Sequence, residues 1–284
     1  MPSLHTKAAI LPLLAISLFS FSCASSNQTA VQQAISRSRA NLEAGNFQRA
    51  LDSYKSALQE YPGDGSLAAG YTAAAEEIKR AADSALERGD LGQAKKIAGV
   101  LLDNYADFKG FQLQLSFSEA SLKAQIKNGR MAGCEKQARQ ALPLGDFQGA
   151  LDAYRPVLKE YPGDPPLTAK YIKIIEEIKA VGESSLVGRE FALAGKAYYA
   201  LWKNSSDLKP FEKQLSFDRD ILTAGLDKCR KSLGQKGLEQ YRKGKLAEAI
   251  SIWESLLAFD PDNADIKKSI ETGKSQLKKL QQKK

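Results

Sequence analysis

Histidine is nearly absent from this chain of 284 residues, which has a single copy at position 5. His5 lies in an N-terminal segment that we expect to be removed on export, so the mature protein would have no imidazole. This excludes Ser-His triads, histidine acid–base catalysis and histidine metal sites. No motif points to a catalytic residue, a metal ligand or a cofactor, and we predict a non-enzymatic protein without them.

Strand signals are also missing. No alternating apolar and polar pattern bounded by hairpin dipeptides occurs, and aromatic residues make up only 8% of the chain. Ala, Leu, Lys, Glu and Gln dominate its middle, and these residues favour helices over strands. With 43% hydrophobic and 26% charged residues, the chain is apolar enough to bury a core. The composition predicts an all-α fold.

The net charge of +8 is spread along the chain, apart from a C-terminal run of lysines. A nucleic-acid-binding protein more often concentrates its cations on one element, together with base-stacking aromatics or a known motif. We therefore predict no nucleic-acid partner. The lysine run fits a solvated helix end, where cations suit the negative pole of the helix dipole.

Residues 1–22 have the form of a cleavable export signal. Lys7 precedes an apolar run over residues 8–21, and this run is too short to span a bilayer comfortably. These 22 residues are expected to lie outside the folded part of the mature protein.

The cleavage region, Ser22 followed by Cys23, resembles a bacterial lipoprotein signal. In that family a small residue precedes a cysteine that is acylated and becomes the new N-terminus. The resemblance implies a lipidated Cys23, with residues 23–30 as its tether, and Ala24 next to it resembles the outer-membrane sorting class. The expected location is the bacterial cell envelope, on an outer membrane and facing the periplasm. Ordinary cleavage after Ala24, giving a soluble periplasmic or secreted protein, is the alternative.

A tandem duplication organises the rest of the chain. The pentapeptide EYPGD occurs at residues 60–64 and again at residues 160–164. Residues 45–130 align without a gap on residues 145–230, with identity at 36 of the 86 positions. A fixed internal period indicates an array of stacked units.

Each unit contains a smaller pattern of tight turns between amphipathic stretches, and five such turns predict five helical hairpins. Small residues recur twelve positions apart on either side of each turn, where two antiparallel helices approach closely. The pairs are Ser38 and Ala50, Ala82 and Ala94, Ala138 and Ala150, Gly182 and Ala194, and Gly237 and Ala249. A bulky ring is expected between successive hairpins at Tyr54, Tyr154, Tyr198 and Trp253. Proline then ends the second helix, and Asp64 or Asp164 caps the next one.

These features resemble the tetratricopeptide repeat (TPR), a helix-turn-helix unit of about 34 residues. The clearest match is the last unit, residues 241–263, and in the first hairpin the matching residues are Gly45, Ala50, Tyr54, Ala57 and Pro62. The resemblance implies a TPR-like helical-hairpin solenoid with a C-terminal capping helix. Surplus residues lie mainly around 65–75 and 107–130 and in their duplicates, and the sequence leaves open whether 107–130 form a separate helix.

The predicted organisation has six segments. They are the signal (1–22), the tether (23–30), the first duplicated unit (31–130), the second duplicated unit (131–229), the fifth hairpin (230–263), and a capping helix with a basic tail (264–284). The apolar stripe of that last helix is expected to be Ile266, Ile270, Leu277 and Leu280.

The resemblance also implies a mode of action, because first helices of such arrays line a concave surface that holds a protein or peptide. The charged residues at those positions are Arg39, Glu76, Lys79, Asp83, Glu135, Arg139, Glu176, Lys179, Glu183 and Lys231. The same spacings also suit ion pairs that only keep a helix face soluble. We expect a lipid-anchored envelope scaffold or adaptor, accessory to assembly, secretion, pilus formation or polymer export.

Two further hypotheses concern aromatic residues and cysteines. A glycan- or peptidoglycan-binding protein is the alternative function, with Tyr198, Tyr199, Trp202 and Asn204 as candidate contacts, although we favour core packing or partial burial for the rings. Cys134 and Cys229 fall on first helices of different hairpins, so we expect two free, buried thiols rather than a disulfide.

Overall fold

The computed structural model describes residues 19–282 of the chain, and side chains from residue 27 onward. Residues 1–18, most of the expected signal, lie outside this range, and so does the side chain of Cys23. Lipidation of Cys23 and the alternative cleavage after Ala24 therefore stay predictions. The backbone of residues 23–30, the expected tether, belongs to the first helix. No β-strand occurs among the described residues, which confirms the all-α fold class.

The chain divides into two compact units, Met1–Gly129 and Arg130–Lys284. The helices of unit 1 are α1 (Phe19–Glu43), α2 (Phe47–Glu60), α3 (Gly65–Glu87), α4 (Leu91–Asp103) and α5 (Tyr105–Gly110). Helix α6 (Glu119–Ala141) begins in unit 1 and ends in unit 2. The helices of unit 2 are α7 (Phe147–Asp152), α8 (Arg155–Glu160), α9 (Pro165–Val187), α10 (Phe191–Lys203), α11 (Ser205–Leu208), α12 (Arg219–Arg242), α13 (Leu246–Leu257) and α14 (Ala264–Gln281), with 3-10 turns at Leu142–Leu144 and Lys209–Gln214.

The expected hairpins are present in the described part of the chain. They are formed by α1 and α2, α3 and α4, α6 with α7 and α8, α9 and α10, and α12 and α13. The tight turns need a left-handed residue, which glycine adopts without a steric penalty. Gly45 has this role in the first turn with a φ of 72°, whereas Arg189 has it in the fourth with a φ of 62°.

Small residues lie at each hairpin contact, as the twelve-residue spacing predicts. Ser38 is fully buried, and its hydroxyl donates a hydrogen bond to the Ala50 carbonyl at 3.0 Å. Ala82, Ala138, Ala150, Ala194 and Ala249 are also fully buried. The rings of Tyr54, Tyr154, Tyr198 and Trp253 are buried between the helices. The small side chains let the helices approach closely and leave space for these rings.

Local stop and start signals set the helix ends. Helix α2 ends two residues before Pro62, and the Asp64 carboxylate then accepts hydrogen bonds from the N–H groups of Ser66 and Leu67 at the start of α3. Asp164 caps α9 in the same way. Pro156 interrupts the second helix of hairpin three between α7 and α8, because proline lacks an N–H and crowds the carbonyl four residues before it.

The surplus residues of each unit extend one helix and add another. Helices α3 and α9 each have 23 residues, which include the 65–75 segment and its duplicate. Residues 107–130 do not form one helix, because α5 ends at Gly110 and α6 starts at Glu119. A non-helical segment separates them, and its duplicate in unit 2 follows a short 3-10 turn.

Helix α14 covers the last hairpin, as expected. Asn263 caps it by accepting a hydrogen bond from the Ile266 N–H at 3.1 Å. Ile270 is buried, and Gly273 lies against Ile250 and Trp253 of α13. The inclusion of Leu280 in the apolar stripe was wrong, since its side chain is 54% exposed.

Candidate functional site

The predicted contact residues of unit 1 mostly have partners within that unit. The Glu76 carboxylate accepts hydrogen bonds from the backbone N–H and the hydroxyl of Ser116, both at 2.6 Å. The Lys79 ammonium pairs with Asp83 at 2.6 Å, and Asp83 also accepts a hydrogen bond from Gln125. Of this set, Arg39 is exposed on α1.

Unit 2 repeats these contacts and adds an ion network. Glu176 accepts from Ser216 as Glu76 does from Ser116, and Lys179 pairs with Glu183 at 2.8 Å. Glu135 on α6 pairs with Lys170 on α9. The hydrogen bond from Lys170 is the main cause that lowers the pKa of the Glu135 carboxyl.

Arg139 joins this network by contacting Glu135 at 3.4 Å and Glu177 at 3.5 Å. Lys79, Lys179, Glu135 and Arg139 thus form the ion pairs that were the alternative to a binding role for these positions. Only 19% of the Lys79 side chain and 17% of the Lys179 side chain are exposed. A partner would have to compete with an internal carboxylate for either ammonium group.

The exposed face of α12 is different. Lys231 is exposed, and it forms no ion pair with any residue that the structure describes. One turn further on, a Cβ added to Gly234 would meet no atom within 4 Å. Leu238 continues the same face with 41% of its side chain exposed. A cation, a glycine without a side chain and an exposed apolar side chain therefore lie in a row on a first helix.

The four residues proposed for glycan contact do not form one open site. Tyr198 is buried in the core, and Asn204 is buried with its amide bonded to Gln148 and to the Ala200 carbonyl. Tyr199 and Trp202 are half-buried and stack with ring centroids 6.3 Å apart. The Arg219 guanidinium lies over the Trp202 ring at 5.3 Å.

Cys134 and Cys229 are free and buried, which confirms the prediction. Burial raises the pKa of both thiols, that of Cys229 to about 11. A thiol with a raised pKa is a poor nucleophile and metal ligand at neutral pH. No cluster of metal-ligating side chains occurs in the described range. Over the same residues, no helix combines the length and apolarity that crossing a membrane requires.

Two sets of polar contacts were not predicted from the sequence. They join the second helix of a hairpin to the segment that follows the next hairpin. Gln48 and Asn104 exchange amide hydrogen bonds in unit 1, as Gln148 and Asn204 do in unit 2. Lys55 pairs with Asp107 at 2.7 Å, and Arg155 with Asp207 at 2.9 Å. Identity of both amides across the duplication was the available signal.

One comparison with known proteins supports the repeat type of the first hairpin. A tetratricopeptide repeat family model matches residues 34–64, which include α2 and the last ten residues of α1. No curated protein matches the chain. A solved structure described as a circular tandem repeat protein with novel repeat topology and enhanced subunit contact surfaces is 16% identical, over 88% of this chain and 63% of its own, with a TM-score of 0.22. The chain thus spans less than two thirds of that protein.

The helical hairpins give the described chain a TPR-like repeat fold, and the family model matches the first of them at residues 34–64. Repeats of this type generally mediate protein–protein interaction and are typically scaffolds rather than enzymes. Fold alone does not identify a partner, so the specific function has to be argued from surfaces.

Proposed function

We propose that this protein is a non-enzymatic scaffold or adaptor that binds a protein or peptide partner along its first helices, with the exposed face of α12 as the main contact in unit 2. The TPR-like hairpins support this class of function. The row formed by Lys231, Gly234 and Leu238 carries the proposal, because it lies at first-helix positions, Lys231 and Leu238 are exposed, and a Cβ at Gly234 would meet no atom within 4 Å.

The chemistry of this row favours a partner with an apolar side chain beside an acidic group. Leu238 offers apolar surface, and Gly234 lets a backbone approach the helix closely. Lys231 would pair with a carboxylate at the edge of the contact, where charge mainly affects the association rate and selectivity. By contrast, the first-helix charges of α3 and α9 pair with other groups of their own unit.

The test is site-specific photocrosslinking in cells. A photoreactive phenylalanine at position 238 should give an adduct with a defined partner, and the same residue at position 268 should not, since Lys268 is exposed on α14 rather than on a first helix. Lys231→Glu should weaken the adduct from position 238, more at low salt than at high salt. Lys268→Glu makes the same charge change and serves as the matched control.

Equal crosslinking from positions 238 and 268, with circular dichroism unchanged, would remove the α12 contact from the proposal. Equal effects of the two charge reversals would do the same for the pairing by Lys231. The adduct also identifies the partner by mass spectrometry.

The second part of the proposal is anchoring in the bacterial cell envelope through acylated Cys23. Two acyl chains hold a protein to a bilayer far more firmly than one. Cys23→Ser should move the protein from the membrane fraction to the soluble fraction. A wild-type protein that is already soluble would instead support cleavage after Ala24.

A further inference from the structure

An open pocket lies in unit 2 between the segment after α10 and the start of α12. Its floor is apolar, and its rim includes Ser205, Lys209 and Arg219. The floor residues are Leu208, Leu215, Phe217 and Leu222. Its volume is about 280 Å³, and an apolar cavity of ~150 Å³ is already large enough to bind benzene.

The duplicate of this region in unit 1 contains its own ring. Tyr105 is the counterpart of Ser205. Its ring packs edge-on against Phe108, with centroids 6.2 Å apart, and at a tilt against Phe117, with centroids 6.5 Å apart. The Lys109 ammonium lies 5.8 Å from the centre of the Tyr105 ring. Such a cation over an aromatic face is attractive.

Comparison of the two copies shows what opens the pocket. Leu115, Phe117 and Leu122 in unit 1 have identical counterparts in Leu215, Phe217 and Leu222, and the cation is also retained as Lys209. Of the ten lining positions, these four are identical and six differ, at 205, 206, 208, 212, 218 and 219. Two of the differences remove an aromatic ring, where Tyr105 becomes Ser205 and Phe108 becomes Leu208. Unit 2 therefore keeps three apolar residues and the cation around the ring position but has lost the ring and the aromatic wall beside it.

We infer that this pocket binds an aromatic side chain, tyrosine or phenylalanine, presented by a partner polypeptide. The inference rests on the proposed function for the source of the ring, and on the internal duplicate for its chemistry. The ring would contact Phe217 at a tilt, as Tyr105 contacts Phe117, and would lie below the Lys209 ammonium, as Tyr105 lies below Lys109. Burial of an aromatic ring in a formed pocket is a common source of binding energy at interfaces.

The direct test uses two probes, p-cresol as the tyrosine side chain and the peptide acetyl-Gly-Tyr-Gly-amide, titrated against the protein by methyl NMR. Shifts are expected at Leu208, Leu215 and Leu222. Acetyl-Gly-Ala-Gly-amide, which lacks the ring, should cause none of them. Absence of localised shifts with both aromatic probes would overturn the inference. Binding of p-cresol without binding of the tyrosyl peptide would overturn the assignment to a polypeptide side chain.

Variants that fill or open the pocket provide the matched comparison. Ser205→Tyr should raise the Kd of both aromatic probes by about tenfold or more, because the new ring occupies the volume that the probe would bury. Ser205→Phe, which places a ring without a hydroxyl in the same volume, should also weaken binding and serves if Ser205→Tyr does not fold. Ser205→Ala should change the Kd by less than about twofold.

The reverse change in unit 1 makes the test independent of the first variants. Tyr105→Ser should create a second site, with new shifts at Leu115 and Leu122. Unchanged probe binding in Ser205→Tyr and Ser205→Phe would contradict the inference. Position 238 lies near the end of α12, whereas the pocket is lined by Arg219 and Leu222 at its start. A failure of the proposed function and a failure of this inference therefore give different results.

Discussion

The Glu176 carboxylate accepts two hydrogen bonds from Ser216, one from the backbone N–H and one from the hydroxyl, both at 2.6 Å. Glu76 and Ser116 repeat this contact in unit 1 with the same distances. In each unit the glutamate lies near the middle of a long first helix, and the serine lies in the non-helical segment before the next one. The sequence EEIK (76–79 and 176–179) contains the glutamate, and QLSF (114–117 and 214–217) contains the serine. These two duplicated motifs thus form one contact, called here the clasp.

Removal of this clasp should destabilise unit 2 at a defined place. We expect Glu176→Ala to lower the free energy of unfolding by about 1–2 kcal/mol, because two hydrogen bonds to a charged group are lost. Hydrogen exchange followed by mass spectrometry should show faster exchange over residues 209–218.

The neighbouring residue is the control. Glu177 contacts Arg139 only at 3.5 Å, with both side chains partly exposed, so Glu177→Ala should change stability by less than about 0.5 kcal/mol. Similar losses in the two variants would show that the contact with Ser216 does not secure the segment.

Local sequence signals were sufficient to predict the hairpins. Turn glycines, prolines and capping aspartates act within a few residues of one another, and the small residues such as Ala150 and Ala194 recur at a fixed spacing from each turn. Helix α14 was expected within the last predicted segment, 264–284, and it spans Ala264–Gln281. The fold class, the number of hairpins in the described chain and the two free thiols could therefore be predicted.

Contacts between distant residues could not be predicted in the same way. The expectation for Lys79 treated it as an exposed groove residue, but the packing of neighbouring helices leaves little of it accessible. Gln148 looks like a solvated turn residue, yet its amide is bound to Asn204, 56 residues away. The pocket beside Ser205 depends on residues that differ between the two copies, such as Tyr105 and Ser205. Neither copy of the sequence shows where the Tyr105 ring packs.

The contact between α14 and α13 should depend on Ile270 and not on Leu280. Ile270 is buried, whereas Leu280 is more than half exposed. Ile270→Ala should destabilise the protein by about 2–4 kcal/mol, since large-to-small changes in a core lose burial and leave a cavity. Leu280→Ala should stay within about 0.5 kcal/mol of the wild type in thermal or urea unfolding. An equal cost for both would mean that α14 does not dock through this face.

Cys134 and Cys229 should resist alkylation in the folded protein. Both thiols are buried, and burial raises the pKa of each. In a Cys23→Ser background, which removes the third cysteine, a thiol-specific reagent at pH 8 should label neither residue until denaturant is added. Rapid labelling before unfolding would show that one of the two helices opens.

Stability should fall as the solution becomes strongly alkaline. Burial raises the pKa of the Cys229 thiol from its ordinary value of 9.0 to about 11 and that of the Tyr171 hydroxyl from 10.0 to about 12. The unfolded chain loses these protons first, so the stabilisation from keeping the groups neutral is complete below pH 9 and is lost between pH 9 and 12. Melting temperatures from pH 7 to 11 test this. Cys229→Ala should show a smaller decrease between pH 9 and 11, and an identical decrease would exclude a contribution from this thiol.

Two glycines of α12, one turn apart, should respond to alanine in opposite directions. A Cβ at Gly237 would come within 2.2 Å of the Trp253 indole nitrogen, whereas a Cβ at Gly234 would have no neighbour within 4 Å. Gly237→Ala must move a buried ring and should cost about 1–3 kcal/mol. Gly234→Ala only replaces a flexible residue in a helix interior and should stabilise the protein by about 0.5–1 kcal/mol. Chemical denaturation of both variants gives the comparison, and the backbone change is the same in each. A loss of stability in both would place the exposed face of α12 against another part of the protein, and the row of Lys231, Gly234 and Leu238 would then not be free for a partner.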